Sequence, residues 1–209
     1  MAGPTLSYLN LARALKIVAL LLFLLPWVTV SCSPEALGEA AGGPPMTGAP
    51  TTEIATATGL QMALGSVEYR NLPAPAAGEP AAPFTEPDLI LIGGALLILL
   101  SLAATFLLRG TTRAMTAIGG LVLAACALGY TVLMRVPKSV QDHFATAGVS
   151  DGPGGPQIPT EELARMIQTK VEIGFWLTIA ALAAAIVLLV LSIASHRPAA
   201  AAEPATPGL

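Results

Sequence analysis

The sequence predicts an all-α membrane protein, a bundle of four transmembrane helices with a small β-containing first outer loop. Three observations carry this. Four stretches hold no charged side chain, residues 17–34, 89–108, 114–134 and 173–195, and each matches the roughly 20 residues that a helix needs to cross a bilayer core about 30 Å thick. The 209-residue chain is 54% hydrophobic and 11% charged, with a mean hydropathy of +0.72, whereas soluble domains carry about 25% charged residues. The middle two stretches are joined by Arg109-Gly110-Thr111-Thr112-Arg113, a link short enough to force an antiparallel helical hairpin. The formal net charge is −3 and the basic residues are scattered, which leaves no footprint for nucleic acid.

The first span is expected over about residues 14–32. Arg13 and Lys16 stand just before its apolar run and mark the cytoplasmic side. Pro26 loosens its last turns, and Trp27 suits the membrane interface, where an indole buries its ring and keeps its N–H wet. A rival reading makes this segment a cleaved lipoprotein signal with Cys32 as the lipidated residue. Thr29 fits that poorly, where Leu is usual, and the apolar region is long for a signal peptide. The first outer loop covers 33–88. Its flanks, with Gly42-Gly43-Pro44-Pro45 and Pro80-Ala81-Ala82-Pro83, are too poor in apolar side chains to fold and read as extended or disordered. Between them, residues 51–69 read as an ordered patch. Its Thr-rich half favours a strand, Gly59 and Gly65 punctuate it, and Val67 with Tyr69 suit a second short strand.

The second and third spans are expected over 89–108 and 114–134, with the arginines of their link on the cytoplasmic side. The second outer loop, 135–171, carries a short helix over 138–144. A longer helix starts at Pro159-Thr160-Glu161-Glu162, with Thr160 as N-cap and acids in the first turn. Leu163, Met166, Ile167 and Val171 continue it at helical spacing, straight into the fourth span over 172–195. The tail 198–209, rich in Ala and Pro, reads as disordered and cytoplasmic.

Small residues recur four apart in the later spans, at Gly120/Ala124, Ala125/Gly129, Ala180/Ala184 and Ala181/Ala185. Such pairs let helix backbones approach in lipid, and packing within the bundle is their plainest role. Gly93-Gly94 and Gly119-Gly120 mark the close approach of the hairpin. Ser101, Thr105, Thr116, Thr131, Thr178 and Ser192 read as hydroxyls bonded to their own helix carbonyls. His143 lacks companions at ligand spacing, as do Cys32 and Cys126. Glu161 and Glu162 point about 100° apart on a helix and do not converge as an acid/base pair. No Ser/His/Asp set, phosphate loop, HExxH or CxxC stands in the chain, so neither a cofactor nor an enzymatic activity is expected. Spans empty of ionisable groups argue against ion pumps, channels and haem carriers.

The run Leu25-Pro26-Trp27-Val28-Thr29-Val30-Ser31-Cys32, followed by Thr58-Gly59-Leu60-Gln61-Met62-Ala63-Leu64-Gly65, resembles a pattern found in uncharacterised bacterial four-helix membrane proteins. That resemblance implies a bacterial inner-membrane location and no known activity. The layout is also loosely similar to claudin-type tetraspan proteins, whose paired loop cysteines this chain lacks. The expected function is that of a non-enzymatic accessory or structural subunit. Its partners would be the lipid bilayer and a second membrane or periplasmic protein, or another copy of itself. The alternative is a carrier or sensor of a lipid or other apolar ligand. Trp27, Cys32, Gly59, Leu60, Gln61 and Gly65 are the candidate interaction residues.

Overall fold

A computed structural model describes residues 7–32, 52–67, 85–108, 110–146 and 167–195. The chain enters as helix α1 (Tyr8–Leu21), which tightens into a 3₁₀ turn over Leu22–Leu24. Strand β1 (Pro26–Cys32) follows, then β2 (Thr52–Thr58) and the short helix α2 (Gly59–Leu64). Helices α3 (Leu89–Leu107) and α4 (Gly110–Tyr130) form the hairpin. A π-helical turn, Thr131–Arg135, carries α4 on into α5 (Val136–Thr146). Strand β3 (Ile167–Val171) and helix α6 (Ile173–Ser195) complete the described chain. Three helical stretches are long and apolar enough to cross a membrane: Leu89–Leu107, Thr112–His143 and Ile173–Ser195.

The first expected span, 14–32, is not one helix. Ser7 caps α1 through its side chain, which accepts from the Asn10 N–H, so the helix starts upstream of Arg13 and includes both it and Lys16. It ends before Pro26, which has no N–H for a helical bond. Beyond that point Val28, Thr29 and Val30 are β-branched and take extended backbone. The third helix runs past its expected end at Met134. In the π turn the Val136 N–H reaches back five residues to the Thr131 carbonyl, and Pro137, with no N–H for Leu133, is absorbed directly after it. The expected short helix at 138–144 is thus the continuation of α4 rather than a separate element.

The helix expected from Thr160 into the fourth span is also corrected. Ile167–Val171 is a strand, and residues 160–166 lie outside the described part. Ile167 and Val171 are four apart, a spacing that serves a helix face and one face of a strand equally. The alternation of buried Ile167 with exposed Gln168 and Lys170 settles it. The sheet has order β2-β1-β3, antiparallel throughout, so the strand built from the end of the expected first span lies at its centre. The Thr-rich strand read from 51–69 is β2. Val67 is buried but belongs to no strand, and Tyr69 lies outside the described residues.

The helices meet along stripes spaced alternately three and four residues. On α3 these are Leu91, Gly94, Ile98, Ser101 and Thr105, on α4 Ala114, Ala117, Leu121, Ala124 and Leu128, and on α1 Ala12, Lys16 and Ala19, continued by Phe23 in the 3₁₀ turn. That is the spacing of a left-handed helical seam. Gly94 sits against Leu128, and Gly120 against Ser101, which fixes the hairpin as antiparallel. Gly93, Gly119 and Gly129 instead face open space. Ala181 and Ala185 are buried while Ala180 and Ala184 are exposed. α1 packs mainly on α6, α6 also on α4, and α1 touches α3. The outward faces are apolar, with Leu99, Val122 and Val190 exposed on the long helices and Ile17, Val18 and Leu21 on α1.

Candidate functional site

Two sites stand out, at opposite ends of the helices. The first gathers around Trp27 where the sheet joins the bundle. In the pairing of β1 with β2, Pro26 faces Thr58 and Val28 faces Ala57. Trp27 is the extra residue between them, and such a bulge re-aims a side chain. Its ring turns into the core, fully buried, with the indole N–H donating to the Leu22 carbonyl at 3.0 Å. Phe23 lies against it with centroids 4.5 Å apart, and Phe175 of α6 meets it edge-on at 5.7 Å. A Cβ on Gly59 would come within 2.6 Å of the indole, so the start of α2 lies flat on the ring.

Around this ring the backbone is tied at several points. Thr58 and Gln61 form a reciprocal cap, Gln61 N–H to Thr58 Oγ1 at 3.1 Å and Thr58 N–H to Gln61 Oε1 at 3.0 Å, which satisfies two otherwise orphaned donors. Gly65 ends α2 with φ +68, and a side chain there would overlap the backbone of Glu86 and Pro87. The Asp88 N–H donates to the Ala63 carbonyl at 3.1 Å, and the Glu172 N–H to the Trp27 carbonyl at 2.7 Å. Gly174 opens α6 directly on the Pro26 carbonyl. Asp88 caps α3 through the Ile90 and Leu91 N–H groups and accepts from Arg135 at 2.9 Å.

Of the residues singled out from sequence, Trp27, Gly59, Gln61 and Gly65 come together in this knot. Leu60 does not join it. It points outward beside Leu64, both exposed. Cys32 ends β1 opposite Thr52 and Ile167, away from the knot. Sequence reading missed Phe23, Phe175 and Gly174. The signal for the last two was a Gly-Phe pair at the head of an apolar run, legible only once α6 is known to start against β1.

The second site lies at the other end and was not foreseen, because its cations read as a charged margin of the apolar run rather than as buried groups. Lys16 is fully buried, on the inward stripe of α1, and its ammonium donates to the Ser101 carbonyl at 3.0 Å. Arg13, one turn nearer the start of α1, spreads over the last turn of α3. Its Nη2 donates to the Thr105 carbonyl, its Nε to Thr105 Oγ1 at 3.4 Å and its Nη1 to Asn10 Oδ1 at 3.2 Å. The guanidinium carbon stands 4.0 Å above the Phe106 ring, a cation–π position. The Thr105 carbonyl suits the guanidinium, since the last four carbonyls of a helix lack internal partners and carry the negative end of its dipole, whereas the Ser101 carbonyl lies six residues from the end of α3 and takes the ammonium as an additional bond. Thr105 Oγ1 donates to the Leu102 carbonyl at 2.6 Å and Thr178 Oγ1 to Gly174 at 2.8 Å, as expected for helix hydroxyls. Ser101 instead donates across the hairpin to Ala117 at 2.8 Å, which ties α1, α3 and α4 into one chain of bonds.

Among the described residues no group of three His, Cys, Asp or Glu side chains is placed to hold a metal. One buried hydroxyl, Thr131 in the π turn, has no partner within the described chain. What the two sites offer chemically differs. The Trp27 knot offers a fixed surface beside it, and the Arg13–Lys16 seam offers buried positive charge. Comparison with models of protein families, with curated proteins and with solved structures gives no match.

Proposed function

We propose that this chain is a non-enzymatic integral membrane protein of the bacterial inner membrane, acting as an accessory or structural subunit that holds a small β-platform at the outer face. In this reading α1 is the fourth span, with its start and the end of α6 on the cytoplasmic side. The support for α1 is its inverted polarity: Arg13 and Lys16 turn toward neighbouring helices while Ile17, Val18 and Leu21 face outward, the arrangement lipid favours. Arg113 at the head of α4 stands at the same end, as the positive-inside rule requires of a cytoplasmic face.

The observation that carries the reading is the fastening of the sheet. A platform tied to α3 through Ala63, to α6 through Glu172 and Gly174, and to α1 through Leu22 is held rigidly, and rigid presentation lowers the entropic cost of binding a partner. The exposed pair Leu60 and Leu64 is the apolar feature that this platform presents. A photo-crosslinking amino acid at Leu60 or Leu64, introduced one at a time in living cells, should trap the same discrete protein partner, and one at Val122 should trap none. A bare monomer in mild detergent together with no adduct from either platform position would sink the proposal. Labelling of Cys32 in intact cells by a membrane-impermeant thiol reagent tests the orientation.

A further inference from the structure

We infer that the seam between α1 and the last turn of α3 binds the phosphate headgroup of an anionic phospholipid. This rests on α1 lying in the bilayer, as proposed above.

Lys16 is fully buried and Arg13 half-buried, yet neither has a carboxylate within ion-pair reach among the described residues. The described acids, Glu53, Glu86, Asp88, Asp142 and Glu172, all lie toward the sheet end. The seam end carries Arg13, Lys16 and Arg113. Carbonyl dipoles partly offset a buried ammonium, but an uncompensated charge at membrane depth remains costly. The nearest mobile anions at that level are lipid phosphates.

Geometry places the receiving group. Thr105 is two residues from the end of α3, so Arg13 sits at the level where that helix meets the headgroups. Ser101 is one turn further in, about 6 Å deeper, and Lys16 adds its field from behind without touching the ligand. A guanidinium has five N–H donors in a fixed fork. Three are engaged, on Thr105 Oγ1, the Thr105 carbonyl and Asn10, which leaves two for a phosphate oxygen. Exposed apolar side chains border the fork, Phe106 of α3 beneath the guanidinium and Ile17 one turn along the same face of α1. They suit acyl chains and a glycerol backbone, which commits the site to a lipid rather than free phosphate. Basic pockets between transmembrane helices recognise headgroups in this way.

The test uses the full chain in a neutral detergent, with phosphatidylglycerol, phosphatidylcholine of the same acyl chains, or inorganic phosphate added. Retention by native mass spectrometry should favour phosphatidylglycerol over phosphatidylcholine by about tenfold, and phosphate should neither be retained nor compete. Arg13→Gln should cut that preference about fivefold, Arg13→Lys should keep most of it, and Arg135→Gln at the far end should leave it intact. A photoactivatable phosphatidylglycerol on the unmodified protein should label residues 8–13 or 106–108. That readout stands even if Arg13→Gln does not fold. Equal retention of the two lipids, competition by inorganic phosphate, labelling confined to the sheet end, or a folded Arg13→Gln with unchanged preference would each overturn the inference. The bilayer reading is checked separately by Val18→Cys, which should resist an aqueous maleimide. Ready labelling there would refute the placement of α1, whatever the lipid result.

Discussion

The two ends of the helix bundle are held by different physics. At the sheet end the contacts are of shape: an indole between two phenyl rings, with glycines at 59, 65 and 174 where a single methyl group would meet a ring or a backbone. Its described ion pairs, Arg135 with Asp88 and Lys170 with Glu172, lie at the surface, where such pairs contribute about 0–1 kcal/mol. At the opposite end the order is reversed. Charge is buried there and lands on helix carbonyls. Close packing fixes one geometry because interiors are dense and respond to a single methylene. A buried cation fixes less, since replacing it by an apolar side chain of similar volume is often neutral or stabilising.

That contrast is breakable by substitution, read as melting in detergent. Trp27→Ala should be the most damaging change, about 3–5 kcal/mol as for other buried aromatics, with loss of the sheet and α2 together. Gly174→Val should come next. A Cβ there would overlap the Pro26 carbonyl oxygen and fall 2.8 Å from Leu25 Cβ, and overpacking of this kind costs about 1–3 kcal/mol, occasionally more. Thr58→Ala, which removes one arm of the α2 cap, should cost about 1 kcal/mol. Arg135→Gln should cost less than about 1 kcal/mol. Lys16→Met should leave melting unchanged or raise it. If Lys16→Met instead destabilises as much as Trp27→Ala, the seam is a structural clamp and the two ends are alike after all.

Hydropathy made the three long helices legible, because a charge-free run needs no knowledge of its neighbours to be read. The same rule misplaced the first element. It read Arg13 and Lys16 only as the charged margin of the apolar run, since nothing local shows that carbonyls of residues 101 and 105 wait to receive them. Ser101 and Thr105, four apart in an apolar helix, were the trace of that seam. β3 was hidden for a similar reason. Its partner β1 lies far back in the chain, and the spacing of Ile167 and Val171 fits two periods. The turn chemistry at the Trp27 site was readable in Thr58, Gly59, Gln61 and Gly65. That these residues close on Trp27 was not, because a bulge between Pro26 and Val28 decides where the indole goes.

The position of β1 bears on how the chain is made. It is synthesised early yet sits between β2 and a strand near the other end of the sequence. Until Ile167–Val171 has been translated and delivered to the same side, one edge of β1 carries unmatched amide and carbonyl groups, and such an edge invites foreign strands. A polypeptide that stops before residue 167 therefore has both helices of its hairpin but a first strand paired on one side only. Closure of the sheet waits on the segment that leads directly into α6, so the first strand of the chain has both of its edges matched only once β3 is in place.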